Sequence, residues 1–106
     1  MIARIWHGKT SAAHFEEYSE FLRIRAIPDY QGTKGFLGLS FLRQIRGQEA
    51  HFTLLTYWEN MEVIRNFAGA DTEKAKYYPE DRNYLLEFEE HVSHHEVFAT
   101  AERELS

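Results

Sequence analysis

The order in which two periodicities follow each other along the chain limits the fold more than any single residue does. Ile2 to Lys9 alternates, with Ile2, Arg4 and Trp6 on one side and Ala3, Ile5 and His7 on the other, as a strand requires. Thr10 or Ser11 then caps a helix whose apolar positions Phe15, Tyr18, Leu22 and Ala26 recur at steps of three and four. Pro28 disfavours helical backbone at Ile27, so the helix is expected to stop or kink there and a loop to follow through Gly35. Phe36 to Arg46 and Ala50 to Trp58 read as a hairpin about Gly47-Gln48. Asn60 caps a short helix with inner face Met61, Ile64, Phe67 and Ala68, ended by Gly69. A helical turn over Thr72 to Tyr78, stopped by Pro79, opens an irregular stretch, and Val92 to Phe98 is the last strand.

Strand–helix–strand–strand–helix–strand is the split βαβ pattern: a ferredoxin-like α+β fold with a four-stranded antiparallel sheet ordered 4-1-3-2 and both helices on one face. A chain of 106 residues supplies one core and not two. The reading is a single domain over residues 1–99 with a polar tail at 100–106.

Two helices cover one sheet face, so polar residues are expected on the other. Here both parities of the third element are apolar: Leu37, Leu39, Phe41 and Ile45 on one side, Phe36 and Leu42 on the other. The even positions Trp6, Phe52, Leu54 and Trp58 add to this. An apolar face of several hundred Å² left in water is costly at roughly 25 cal/mol per Å². The expectation is a homodimer with the two sheets face to face.

The net charge is −5 and Lys and Arg are scattered, so nucleic acid is not an expected partner. No cysteine is present, which removes disulfides, thiolate catalysis and Cys-based metal sites and agrees with a cytoplasmic protein. Neither a signal peptide nor a bilayer-crossing apolar stretch is recognisable, so a soluble protein without membrane partners is expected. Two Trp, six Tyr and eight Phe are a heavy aromatic load for so small a core.

Several segments together resemble the antibiotic biosynthesis monooxygenase group of dimeric α/β-barrel proteins. They are Ile2-Ala3-Arg4-Ile5-Trp6, Thr56-Tyr57-Trp58-Glu59, Ile64-Arg65-Asn66-Phe67-Ala68-Gly69, Ala75-Lys76-Tyr77-Tyr78-Pro79-Glu80-Asp81 and His94-His95-Glu96-Val97. The resemblance spans nearly the whole chain. It implies a pocket between the sheet and its helices, and an activity such as cofactor-free monooxygenation of a phenolic or quinol-type aromatic. Haem-degrading members of the group use an Asn on the first strand and a Trp on the second helix; here the first strand has no Asn and Phe67 stands in the helix. No cofactor is therefore expected. Asn66, Trp58 and Tyr77 are of the types that cofactor-free members place around a phenol.

Arg4 is a guanidinium between Ile2 and Trp6 on a central strand and must find an anion. Glu96 on the neighbouring strand and a phenolate or carboxylate substrate are the two alternatives. His94 is a candidate general base, since its reference pKa lies near neutrality, or a hydrogen-bonded structural His. His91, His94 and His95 do not chelate one ion on a strand, because His91 and His95 are about 13 Å apart and His94 points the other way; no metal is expected. Trp6, Trp58, Tyr77 and Tyr78 either line a pocket for a flat molecule or fill the core. An enzyme would use Arg4, His94 and Tyr77 on a ring held by Trp6, Trp58, Asn66 and Tyr78. The rival is a non-catalytic dimer that binds a small hydrophobic metabolite.

Overall fold

The computed structural model describes residues 1–103. Strand β1 (Ile2–Ser11) leads through a 3₁₀ turn (Ala12–His14) into α1 (Phe15–Phe21), a π turn (Leu22–Ala26) and α2 (Ile27–Gln31). The hairpin β2 (Phe36–Arg46) and β3 (Glu49–Trp58), helix α3 (Met61–Ala68), a 3₁₀ turn (Pro79–Asn83) and β4 (Ser93–Glu96) follow. The sheet is antiparallel in the order β2-β3-β1-β4. Of the polar tail, Glu104 to Ser106 lie outside the described residues. No helix among the described residues is long and apolar enough to cross a membrane.

Local chemistry explains most boundaries. Ser11 Oγ accepts from Ala13 N, and Asn60 Oδ1 from Val63 N at 3.0 Å, each satisfying a donor that a helix start leaves unpaired. Gly69 takes φ 93° after α3, a conformation that costs other residues a steric clash. The first helical stripe is buried as the spacing requires, with Tyr18, Leu22 and Ala26 facing the sheet. Pro28 does not stop the helix. The chain widens into the π turn, Ile27 N donates to Leu22 O, and Pro28 sits at the start of α2, where a missing N–H costs little.

Thr72 to Tyr78 is not helical. After a turn closed by Lys74 N donating to Asp71 O, Ala75 N donates to Glu90 O and Val92 N to Glu73 O, both at 2.9 Å, so Glu73 to Ala75 run beside residues 90–92. Pro79 starts a turn instead of ending one. Beyond it, Leu85 bridges Thr10 and Leu86 N donates to Lys9 O, so this strap continues along the edge of β1 that β4 leaves free.

The helix-covered face holds the core, with Trp6, Phe52, Leu54 and Trp58 beneath Tyr18, Leu22, Tyr30, Ile64 and Phe67. In β2 the register shifts between Phe36 and Gly38, so Leu37 is an extra residue. That bulge puts Phe36, Leu39 and Phe41 on one face despite their different parity. The second face is consequently less apolar than expected. Ile5, Leu55, Tyr57 and Leu42 occupy part of it, and His7, Lys9, Glu49, His51, Gln44 and Arg46 the rest.

Candidate functional site

One row across the sheet runs Leu39, Thr56, Arg4, His94 and faces the helices. Arg4 is 3% exposed. Its Nη1 donates to Thr72 O at 2.6 Å and its Nη2 to Lys74 O at 3.0 Å. Two strap carbonyls therefore satisfy the guanidinium. Glu96 does not, since it lies opposite Ile2 in the ladder. Burial holds the Arg4 pKa below its ordinary value.

His94 Nε2 is 3.0 Å from Arg4 Nη1. Arginine has only donors, so this nitrogen accepts and the proton sits on Nδ1, which is buried and among the described residues has no partner. Burial, and then the Arg4 charge, hold the His94 pKa below the usual imidazole value. Its basic nitrogen is thus occupied.

Arg4, Trp6, Tyr18, Tyr30, Lys76 and Asp81 line an interior cavity of about 20 Å³, room for a single water. Tyr18 OH donates to Asp81 Oδ1 at 2.9 Å, and Asp81 Oδ2 accepts from Tyr78 N at 2.7 Å. Burial raises the Asp81 pKa even against these two bonds, and burial together with Asp81 raises that of Tyr18. Lys76 Nζ stands 4.3 Å over the Phe67 ring and 2.7 Å from Asp29 Oδ2. Tyr78 OH donates to the same oxygen at 2.6 Å, beneath the Arg25 guanidinium. Asp29 on α2 is thus the anchor of the strap. Burial alone would raise its pKa, yet the bonds from Lys76 and Tyr78 leave it lowered.

Of the residues expected from sequence, Arg4, Trp6 and Tyr78 share this cavity. Trp6 lies over Gly8, where a methyl group would come within 2.3 Å of the ring, and its Nε1 is buried with no acceptor among the described residues. Tyr77 packs edge-on to Trp6 but sends its hydroxyl to Glu89 O. Trp58 is wholly buried among Tyr30, Phe36 and Phe67, its Nε1 donating to Thr56 Oγ1. Asn66 is exposed, away from the buried Ile64 and Phe67 side of α3. Sequence reasoning missed Tyr18, Lys76 and Asp81. The available signals were an Asp in the first turn after Pro79 and a phenol within the buried helical stripe.

A larger groove of about 260 Å³ opens between the first helical region and β2, lined by Ser19, Ile27, Leu39, Phe41 and Phe52 among others. Leu22, in the π turn, lines both the groove and the cavity. Widened helical turns recur at functional sites because they displace side chains from the regular stripe.

No family model matches the chain, and no curated protein does. Solved structures do. The haem degrader MhuD from Mycobacterium tuberculosis, with two haems bound in its active site, superposes with TM-score 0.65 at 21% identity, over 96% of this chain and 100% of that one. A point variant of MhuD with two manganese protoporphyrin IX bound per active site gives 0.63 at 18% identity, over 97% and 100%. A candidate antibiotic biosynthesis monooxygenase from Bacillus cereus gives 0.64 at 12%, over 96% and 97%. Over nearly its full length, then, the chain shares the ferredoxin-like α+β fold of these solved structures.

Proposed function

We propose that the chain is a small oxygenase-like protein that acts on a flat phenolic or quinol-type compound between its sheet and helices. The observation that carries this reading is one buried cavity bringing together two cations, Arg4 and Lys76, with the Tyr18–Asp81 hydrogen-bonded pair. The groove beside β2 receives the ring, and displacement of Leu22 joins it to the cavity. Asp81 takes the role expected of His94: a carboxylate of raised pKa accepts the phenolic proton, while Lys76 and Arg4 stabilise the anion. The anion then reacts with O₂. A methylene beside the phenol becomes a carbonyl and the second oxygen atom leaves as water, so the substrate supplies all four electrons. The apolar remainder of the open sheet face, with Ile5, Leu55, Tyr57 and Leu42, supports a face-to-face homodimer.

Haem does not fit the residues present. The helix–sheet cavity has room for one water, Phe67 is stacked 4.4 Å from Tyr30 within it, and among the described residues no histidine lines it. Titration of the protein with haem is expected to leave the Soret band that of free haem.

Oxygen uptake with a panel of anthrone-like hydroquinones tests the activity. Turnover above buffer that falls at least ~100-fold in Asp81→Asn and Arg4→Leu is expected; turnover equal to buffer would sink the reading. One observation favours a second reading, binding without catalysis: Arg4 is already satisfied by two carbonyls. In that case the same compounds quench Trp fluorescence without consuming oxygen.

A further inference from the structure

The open face of the sheet carries a cluster that the helix-side cavity does not use. His7 on β1 and His51 on β3 are diagonal neighbours, His7 opposite Thr53 and His51 opposite Lys9. His7 Nε2 and His51 Nδ1 are 3.2 Å apart, with ring centroids at 5.4 Å and planes tilted by 30°. Each ring turns its other nitrogen to a carboxylate. His7 Nδ1 is 2.5 Å from Glu89 Oε2, and His51 Nε2 is 3.5 Å from Glu49 Oε1.

Two nitrogen ligands at 2.0–2.1 Å from a tetrahedral ion lie about 3.3 Å from each other. The inner nitrogens already have that separation. A carboxylate on the far nitrogen is what fixes the tautomer of a metal-bound imidazole and raises its basicity. Each ring has one. We infer that His7 and His51 form a two-histidine site for a first-row divalent cation, with Glu89 and Glu49 as its outer partners.

The local charge favours a cation. Glu89, Glu49 and Glu87 gather here against Lys9, which lies 3.5 Å from Glu49 and 3.8 Å from Glu87. Arg46 of the same face is turned to Gln44, and Arg43 to Glu16 and Ser19. Among the described residues no group of three or more His, Asp or Glu side chains converges on one point. The protein therefore supplies two nitrogens and water completes the shell, which sets a micromolar scale of affinity with Cu²⁺ above Zn²⁺. The histidines near the C-terminus are arranged differently: Arg4 occupies His94 Nε2, and His95 Nε2 meets Ser93 Oγ.

The test is titration of chelator-treated full-length protein with Cu²⁺ followed by electron paramagnetic resonance, and with Zn²⁺ followed by calorimetry. Saturable micromolar binding with a two-nitrogen Cu²⁺ signal is expected. His7→Gln and His51→Gln each weaken it at least ~30-fold, and Glu89→Gln about 10-fold, while His94→Gln and His95→Gln leave it unchanged. The three substituted residues are partly exposed, and circular dichroism checks that the variants fold. Binding that is absent below millimolar metal, or that survives both His7→Gln and His51→Gln, overturns the inference. This face is also the one proposed to meet a second copy, so one ion per chain or one per pair reports whether the twin supplies ligands.

Discussion

Replacing Arg4 by Met is expected to release the strap from the sheet. The guanidinium donates to the carbonyls of Thr72 and Lys74 and holds His94 in its acceptor form, all in a site from which water is nearly excluded. Charged hydrogen bonds of this kind contribute ~1.5–3 kcal/mol each, and the two carbonyls left behind are part-buried acceptors that lose their donor. Relief of the guanidinium's own desolvation offsets part of this. The net loss is therefore ~2–4 kcal/mol. With a urea slope of ~1–1.5 kcal/mol per molar for a domain of this size, the unfolding midpoint falls by ~1.3–4 M. The loss should be local before it is global. The amides of Ala75 and Val92, which pair the strap with residues 90 and 73, are expected to exchange much faster, ahead of the Trp58 indole in the core. Arg4→Lys should recover only part of the stability, because one ammonium lacks the fork that reaches both carbonyls. A midpoint shift below ~0.3 M with unchanged exchange at Ala75 and Val92 would refute the assignment of Arg4 as the strap's anchor.

Further perturbations follow from the same geometry. The folded pKa of His94 lies below the unfolded value of 6.5, so the unfolded chain binds more protons between the two. Stability present above pH 6.5 is lost as pH falls toward the folded pKa, and His94→Gln should flatten that part of a melting-temperature profile. Asp29→Asn weakens the contacts with Lys76 and Tyr78, so limited proteolysis should move to residues 72–83, with a stability loss of ~1–3 kcal/mol. Leu22→Ala is expected to cost ~2–4 kcal/mol while joining groove and cavity, detectable as stronger quenching of Trp6 by small phenols. Gly8→Ala forces the Trp6 ring aside at ~1–3 kcal/mol, read by urea unfolding and a shift in Trp emission; an unchanged spectrum would contradict the ring's position over Gly8.

The positions of β1, β2, β3 and α3 were legible because local rules decide them. Alternation, a turn at Gly47-Gln48, the Asn60 cap and the Gly69 stop need no knowledge of the rest of the chain. The sheet order followed from right-handed crossovers. The π turn was not legible, because it is a compromise between Pro28 and a helix that packing keeps in place. The bulge at Leu37 was hidden too, and it misled the face assignment: one inserted residue reverses parity, so Phe36 and Leu39 read as opposite sides when they share one.

The sequence by itself determined the strands, α3, their order, and the burial of a guanidinium on a central strand, since these depend on spacing over a few residues. Only the tertiary structure decided what that guanidinium meets. Its partners are carbonyls some seventy positions away in a strap whose extended course comes from long-range hydrogen bonds. The same holds for Tyr18 with Asp81 and for His7 with His51, pairs 63 and 44 positions apart that no periodicity connects. Contacts between distant segments are set by how the layers pack, and that is where the chemistry of this protein lies.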